Sequence, residues 1–338
     1  MTGCRRALVA GSLILAVLAG TTGTGIADEA SRHTVFSFKD GRITESSGLV
    51  DAGRLMFTVN DSGDGPVLYL VDKSSGDTVG VTTYSSGDVS DVEAIAPGRD
   101  GTVWVGDIGD NDMSRPSVDL YAVPRPRGGN RQADARRFRL VYPDAPHDAE
   151  ALLVHPQTSR VYIVSKAILG GIVYAAPTSL EPGSLNRLSA VGQVPDLVTD
   201  GAFFPDGEHV LLRSYGSAHV YTFPGLRKVG KVELPGQEQG EAVAIGRSGR
   251  VYISTEGAFS DVTRVELTAR LRASIDNRQD VLPDAAATGN TTTEQPQSDT
   301  TQAASTGIRG AAWVAGLVTL AAAGWLLTAS RRRSRRRP

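Results

Sequence analysis

The 338-residue sequence predicts an all-β fold, a β-propeller of five four-stranded blades, from three observations. First, the stretch from about residue 33 to 282 consists of short apolar runs broken by glycine-rich turns, with no long segment of 3.6-residue periodicity. Second, one three-part unit recurs five times along it. Third, a spare strand, His33 to Phe38, precedes the first unit, while the fifth unit lacks a final strand. Pairing the two closes the ring and leaves no open sheet edge.

The unit opens with a small or acidic residue entering an apolar run: Ser47-Gly48-Leu49, Glu93-Ala94-Ile95, Glu150-Ala151-Leu152, Gly201-Ala202-Phe203 and Glu241-Ala242-Val243. After a turn such as Arg99-Asp100-Gly101, Pro205-Asp206-Gly207 or Arg247-Ser248-Gly249 comes a second strand, at Leu55 to Val59, Val103 to Val105, Val161 to Val164, Val210 to Leu212 and Val251 to Ile253. The third strand carries a tyrosine at a fixed place, Tyr69, Tyr121, Tyr174 and Tyr221, and is weaker at Thr263-Arg264-Val265. A fourth follows in four units: Thr78 to Thr82, Phe138 to Tyr142, Arg187 to Val191 and Lys228 to Leu234. Unit starts run from 47 to 241, about 48 residues apart, the length of a four-stranded blade. A sixth blade would need strands between Arg125 and Asp134 or after Leu267.

The chain ends read differently. Arg5 and Arg6, the apolar run Ala7 to Ala19 and the small residues up to Ala27 have the order of a secretory signal, 1–27. The single cysteine, Cys4, precedes that run, so the mature chain has no thiol for a disulfide or a soft metal. Residues 283–307 are poor in large apolar side chains and read as a disordered Thr/Ala/Gln/Ser stalk. Residues 308–330, with uncharged Gly310 to Ala329 at their heart, read as a transmembrane helix, and the arginines of 331–338 as a cytoplasmic tail. The segment Leu282-Pro283-Asp284-Ala285-Ala286 departs from a Leu-Pro-x-Thr-Gly sorting signal. The expectation is a single-pass cell-membrane protein whose propeller, 33–282, lies outside the cell. Setting the two ends aside leaves 26 basic against 37 acidic residues, a balance of −11 that disfavours nucleic acid and suits cations or an uncharged extracellular ligand or partner protein.

In a propeller the first strand of each blade starts, and the second ends, at one mouth of the ring. Ser47, Asp91, Glu93, Asp148, Glu150, Asp200 and Glu241 fall at the starts; Asn60, Asp61, Asp107, Asp110, Asn111, Lys166, Arg213 and Glu256 fall at the ends. Carboxylates facing one axis raise one another's pKa or call for a cation, and oxygen donors without Cys or clustered His select Ca²⁺ or Mg²⁺. Ca²⁺ held by Ser47, Glu93, Glu150 and Glu241 is one reading; glutamates bonded to backbone amides of the next blade are the other. The run Gly106-Asp107-Ile108-Gly109-Asp110-Asn111-Asp112 lacks the spacing of an EF-hand and reads as a turn that caps its own backbone. Gly-x-Ser-x-Gly, GxGxxG and P-loop patterns are missing, which argues against a serine nucleophile elbow and a bound nucleotide cofactor.

The series Glu45-Ser46-Ser47-Gly48-Leu49, Val92-Glu93-Ala94-Ile95, Asp148-Ala149-Glu150-Ala151, Thr199-Asp200-Gly201-Ala202 and Gly240-Glu241-Ala242-Val243 resembles the inner strands of the calcium-activated nucleotidases (apyrases), and more broadly those of secreted phytase-like and esterase-like propellers. The resemblance implies an axial Ca²⁺ held by serines and glutamates and a calcium-dependent hydrolysis of a phosphate ester or anhydride. In that reading Asp61 or Asp107 positions water, and Lys166 and Arg213 bind phosphate. Two departures stand out: Gly201 occupies the serine position of the fourth blade, and Asn60-Asp61-Ser62-Gly63 replaces Asp-Asp-Arg-Thr-Gly. The main expectation is nonetheless a module with an axial Ca²⁺ that binds a ligand or partner at the cell surface without catalysis, and the hydrolase is its alternative.

Overall fold

A computed structural model describes residues 33–61, 63–85, 89–237 and 239–276. The signal, 1–27, the stalk, 283–307, the expected membrane helix, 308–330, and the tail, 331–338, lie outside the described residues. No helix among the described residues is long and apolar enough to cross a membrane.

Five sheets form the five blades, each antiparallel through its four blade strands. Blade one has Ser46–Ala52 innermost, then Leu55–Asn60, Val67–Asp72 and Thr78–Tyr84. Blade two has Val92–Pro97, Val103–Asp107, Val118–Val123 and Arg136–Val141; blade three has Ala149–Val154, Val161–Ser165, Ile172–Ala175 and Ser189–Gln193. Blade four has Asp200–Phe203, His209–Arg213, Ala218–Thr222 and Lys228–Val232. Blade five has Gly240–Ile245, Val251–Thr255 and Asp261–Val265, and its outermost strand is His33–Ser37, paired antiparallel with Asp261–Val265. Each innermost strand adjoins the next, the fifth returning to the first, so the ring is closed.

The strands are apolar on both faces because every seam between blades is a core. Val50, Phe57, Val59, Leu68 and Leu70 of blade one meet Ile95, Val103, Val105 and Tyr121 of blade two, and four equivalent clusters fill the other seams. The repeated tyrosine has a defined use there. Each packs into the seam with the preceding blade, and in three blades its hydroxyl reaches a polar group at the rim: Asp64 from Tyr69, His147 from Tyr174 and Asp196 from Tyr221. A buried ring with its tip bonded suits a tyrosine better than a phenylalanine.

Three features correct the sequence reading. Arg131–Ala133 is a strand, but it extends blade one, parallel to Thr78–Tyr84, and does not start a sixth blade. Leu185–Arg187 extends blade two, parallel to Arg136–Val141. The fourth strand of blade three is therefore Ser189–Gln193, two residues later than expected. After the last blade strand the chain forms a helix, Ala269–Asp276, with Thr268 accepting from the Leu271 amide at 3.2 Å and Leu271 buried in the seam of blades four and five.

Candidate metal centre at the ring mouth

The four residues that open the apolar runs of blades one, two, three and five reach the ring mouth by one local device. Each lies in a β-bulge. Ser46 pairs with Asn60 and Gly48 with Val59, leaving Ser47 extra; Val92 pairs with Asp107 and Ala94 with Gly106, leaving Glu93; Ala149 pairs with Ser165 and Ala151 with Val164, leaving Glu150. In blade five, Gly240 pairs with Thr255 and Val243 with Ile253, so Glu241 and Ala242 stand against Ser254 alone. A bulge bends the strand and re-aims the extra side chain, here at the start of each innermost strand. In blade four the innermost pair has no bulge, because Asp200 pairs with Arg213 and Gly201 with Leu212 in unbroken register.

The carboxylates come together at blades one and two. Asp61, Asp91 and Glu93 each offer an oxygen, and these oxygens all lie within 4.8 Å of one another. Gly109 makes that approach possible: a Cβ there would stand 2.6 Å from Glu93 Oε1 and would also strike Asp91. Ser47 Oγ donates to the Glu93 carbonyl at 2.5 Å and lies 3.5 Å from its carboxylate. Burial, followed by the charges of Asp61, Glu150 and Asp91, pushes the Glu93 carboxyl up to about 10. Burial and the charges of Asp61 and Asp148 push Asp91 up to about 6. Hard oxygen donors at this spacing, held against their own repulsion and with no Cys or His among them, fit Ca²⁺ or Mg²⁺.

The other acids of the mouth have partners of a different kind. Lys166 Nζ is bonded to Glu150, and burial, only partly offset by that lysine, leaves Glu150 at about 8. Burial acts to lower Lys166, yet Glu150 beside it raises it overall. Gln239 donates to Glu241 at 3.3 Å, and burial together with Glu241 raises Glu256 to about 8. Thus of Ser47, Glu93, Glu150 and Glu241, only Glu93 belongs to the three-carboxylate cluster. Asp61, expected to position water, stands among the ligand candidates instead, joined by Asp91.

Three expected site residues serve the framework. Asp107 is buried; its carboxylate accepts from the amides of Ser90 and Asp91 at 3.0 Å and pairs with Arg115 at 2.8 Å. Asp110 caps its own loop by accepting from the Ser114 and Arg115 amides, at 2.9 and 2.8 Å, which matches the turn reading of this segment. Arg213, 1% exposed, gives its guanidinium to the carbonyls of Ala242 at 2.7 Å and Ser254 at 3.0 Å and to Gln237 at 2.5 Å. Burial lowers it to about 10. It is a strut between blades four and five. Asp200, fully buried, completes that seam by accepting from Val243 N at 2.6 Å and Gly201 N at 2.7 Å. Gly201 is fixed by packing, since a Cβ there would stand 2.7 Å from Leu212 Cδ2 and 3.0 Å from Leu153 Cδ2; through Asp200 blade four contributes a latch to the seam.

Sequence reasoning passed over Arg115, which orients Asp107 and hence the backbone of Asp91, and Gly109, which admits two carboxylates. The glycine had a signal, since it stands between two acids of the mouth loop, Asp107 and Asp110. A cavity of about 930 Å³ opens at the other mouth of the ring. Its floor is apolar, with Leu49, Ile95 and Val243, and none of the carboxylates just described lines it.

No family profile matches the sequence, and no curated protein does. Among solved structures, a glucose dehydrogenase superposes with a TM-score of 0.44 at 11% identity, over 69% of this chain and 99% of that one. A gluconolactonase from Xanthomonas campestris gives 0.42 at 14% identity, over 71% and 93%. Neither is a nucleotidase or a phytase, and likeness at this level carries no argument about chemistry.

Proposed function

We propose that the protein is a divalent-cation-dependent hydrolase whose reaction centre is the mouth of the propeller, with Asp61, Asp91 and Glu93 holding the cation. The observation that carries this reading is the meeting of those three carboxylates within 4.8 Å. Around them stand acids held at different proton affinities, Asp91 near 6 and Glu150 and Glu256 near 8, which is the condition for dividing acid and base roles within one site. A bound Ca²⁺ or Mg²⁺ would polarise the oxygen of an electrophilic substrate. Glu150, paired with Lys166, is suited to hold or pass a proton beside it.

The charge of the mouth bears on the substrate. Lys166 and Arg213, the two cations a phosphate would need, are engaged by Glu150 and by blade five, so an uncharged ester is favoured. Cleavage of a phosphate ester or anhydride, as the apyrase resemblance implies, would depend on the cation alone. A surface-exposed domain carried by a membrane anchor agrees with this reading, since extracellular calcium would fill a weak site.

The test is thermal melting of the domain, residues 28–282, in chelator, Ca²⁺ and Mg²⁺, followed by assay on para-nitrophenyl acetate and para-nitrophenyl phosphate. A cation at a hundredfold its Kd stabilises by about 2.7 kcal/mol. We expect a higher midpoint with cation, lost in Asp61→Asn, Asp91→Asn and Glu93→Gln, and hydrolysis lost with it. Identical melting in chelator and in millimolar cation would leave a non-catalytic binding module as the better description.

A further inference from the structure

The loop joining the second and third strands of each blade lies at the mouth and, in four blades, carries an exposed apolar side chain a few positions after the strand end. Blade two goes from Asp110 to Met113, blade three from Lys166 to Ile168 and Leu169, blade four from Arg213 to Tyr215, and blade five from Glu256 to Phe259. Exposure is 62% for Met113, 87% and 91% for Ile168 and Leu169, 37% for Tyr215 and 60% for Phe259. Only three other large apolar side chains among the described residues are so exposed, Val79, Leu185 and Val191, and all three sit on outer strands. The remainder all lie in the same loop of the repeat.

Two further observations separate these tips from idle surface. Met113 and Phe259 hold left-handed backbone, with φ of 47° and 61°, a conformation costly for unbranched and aromatic side chains alike. Tyr215 is linked to the mouth, because the Lys166 ammonium that holds Glu150 lies 5.5 Å from its ring centre. Apolar tips therefore stand round the acidic mouth on four sides. On the fifth side the described residues of blade one at this place, Asp61, Gly63, Asp64 and Gly65, include no apolar side chain.

We infer that this rim binds the apolar substituents of the substrate, so that the favoured substrate is an uncharged ester with a hydrophobic acyl chain. The inference rests on the hydrolase reading for its chemistry but not for its binding surface. A sugar or a nucleotide would leave the tips in water. An ester with its carbonyl at Asp61, Asp91 and Glu93 whose chain runs over blades two to five meets residues only two or three positions beyond the mouth, and those residues are apolar.

The experiment is a chain-length series, para-nitrophenyl acetate, butyrate and hexanoate, below their aggregation limits and with saturating Ca²⁺. Burying a methylene is worth about two- to fourfold in kcat/KM, so hexanoate, four methylenes longer, should exceed acetate by roughly 15-fold to 250-fold. The double variant Ile168→Ser with Leu169→Ser, and separately Phe259→Ser, should each cut that ratio severalfold. Val191→Ser, on the outer strand of blade three, should leave it unchanged. Nile red, an uncharged dye, reads the rim without catalysis: its fluorescence should rise on the parent and fall on the serine variants. A flat chain-length series in a hydrolysing parent overturns the inference and spares the hydrolase reading. Dye binding that the serine variants reduce, with no ester cleaved, defeats the hydrolase reading and keeps the rim. Absence of dye binding to the parent, or binding untouched by the variants, overturns the inference outright.

Discussion

At Gly240 the chain has no room for a methyl group. A Cβ there would strike the Arg213 guanidinium and stand 2.7 Å from the Tyr215 carbonyl. Gly240→Ala should push Arg213 off the Ala242 and Ser254 carbonyls and leave a buried charge half-partnered, at a cost of about 2–3 kcal/mol in urea unfolding. A loss below about 0.5 kcal/mol would show that Arg213 is not a strut. Acidity makes a second test at this scale. Glu93, Glu150, Glu256 and Asp91 all have folded-state values above the ordinary carboxylate range, so the native state binds more protons than the unfolded one between about 4.5 and about 8, and for Glu93 on to about 10. Stability without cation should therefore fall as pH rises through that window, and Ca²⁺ should remove most of the fall. A metal-free midpoint that is flat or climbs from pH 5 to 9 would count against a strained carboxylate cluster. In the sequence the acids of the mouth could be found, because they recur at one place in the repeat. Their grouping could not. Arg213 and Lys166 end equivalent strands, and nothing in the residues alone says that one turns into the seam and the other toward Glu150.

Among the elements, His33–Ser37 has the largest consequence for its length. It supplies the outer strand of blade five and buries Phe36, which packs edge-on at 5.5 Å from Phe38. Starting the domain at Lys39 should cost about 3 kcal/mol or more from lost aromatic burial alone and expose the Asp261–Val265 edge, so the truncated domain should melt lower and aggregate. An unchanged melting temperature would remove this strand from the ring. The pairing was legible because a count of strands left one over before the first unit and one short in the last. The two parallel edge strands, Arg131–Ala133 and Leu185–Arg187, were not. Each is three residues long and mostly polar, so it carries no periodic signal, and its place is fixed by an edge that the preceding blade leaves open.

For the whole molecule, every core is shared by two blades, and every blade lies in two cores. No blade can leave without exposing the faces of both neighbours, so residues 33–276 should unfold in one transition whose denaturant slope is that of the full domain. Two resolved transitions would mean that some seam is weaker than its burial implies. The same count explains why the fold could be read from five short repeated motifs while no single motif is diagnostic: each blade repeats because each must satisfy two identical seams.

The strand that closes the ring also decides how it would give way under load. His33 lies opposite Arg264 and Ser37 opposite Asp261, so the chain enters and leaves the ring at the same end of one antiparallel pair. Tension drawn between the two ends would not shear that pair along its length; it would part the strands one rung at a time, as a zip opens from its slider. A ring that resists heat as a single body would thus yield to a modest pull at its clasp, with the remaining four blades still folded at the moment it opens.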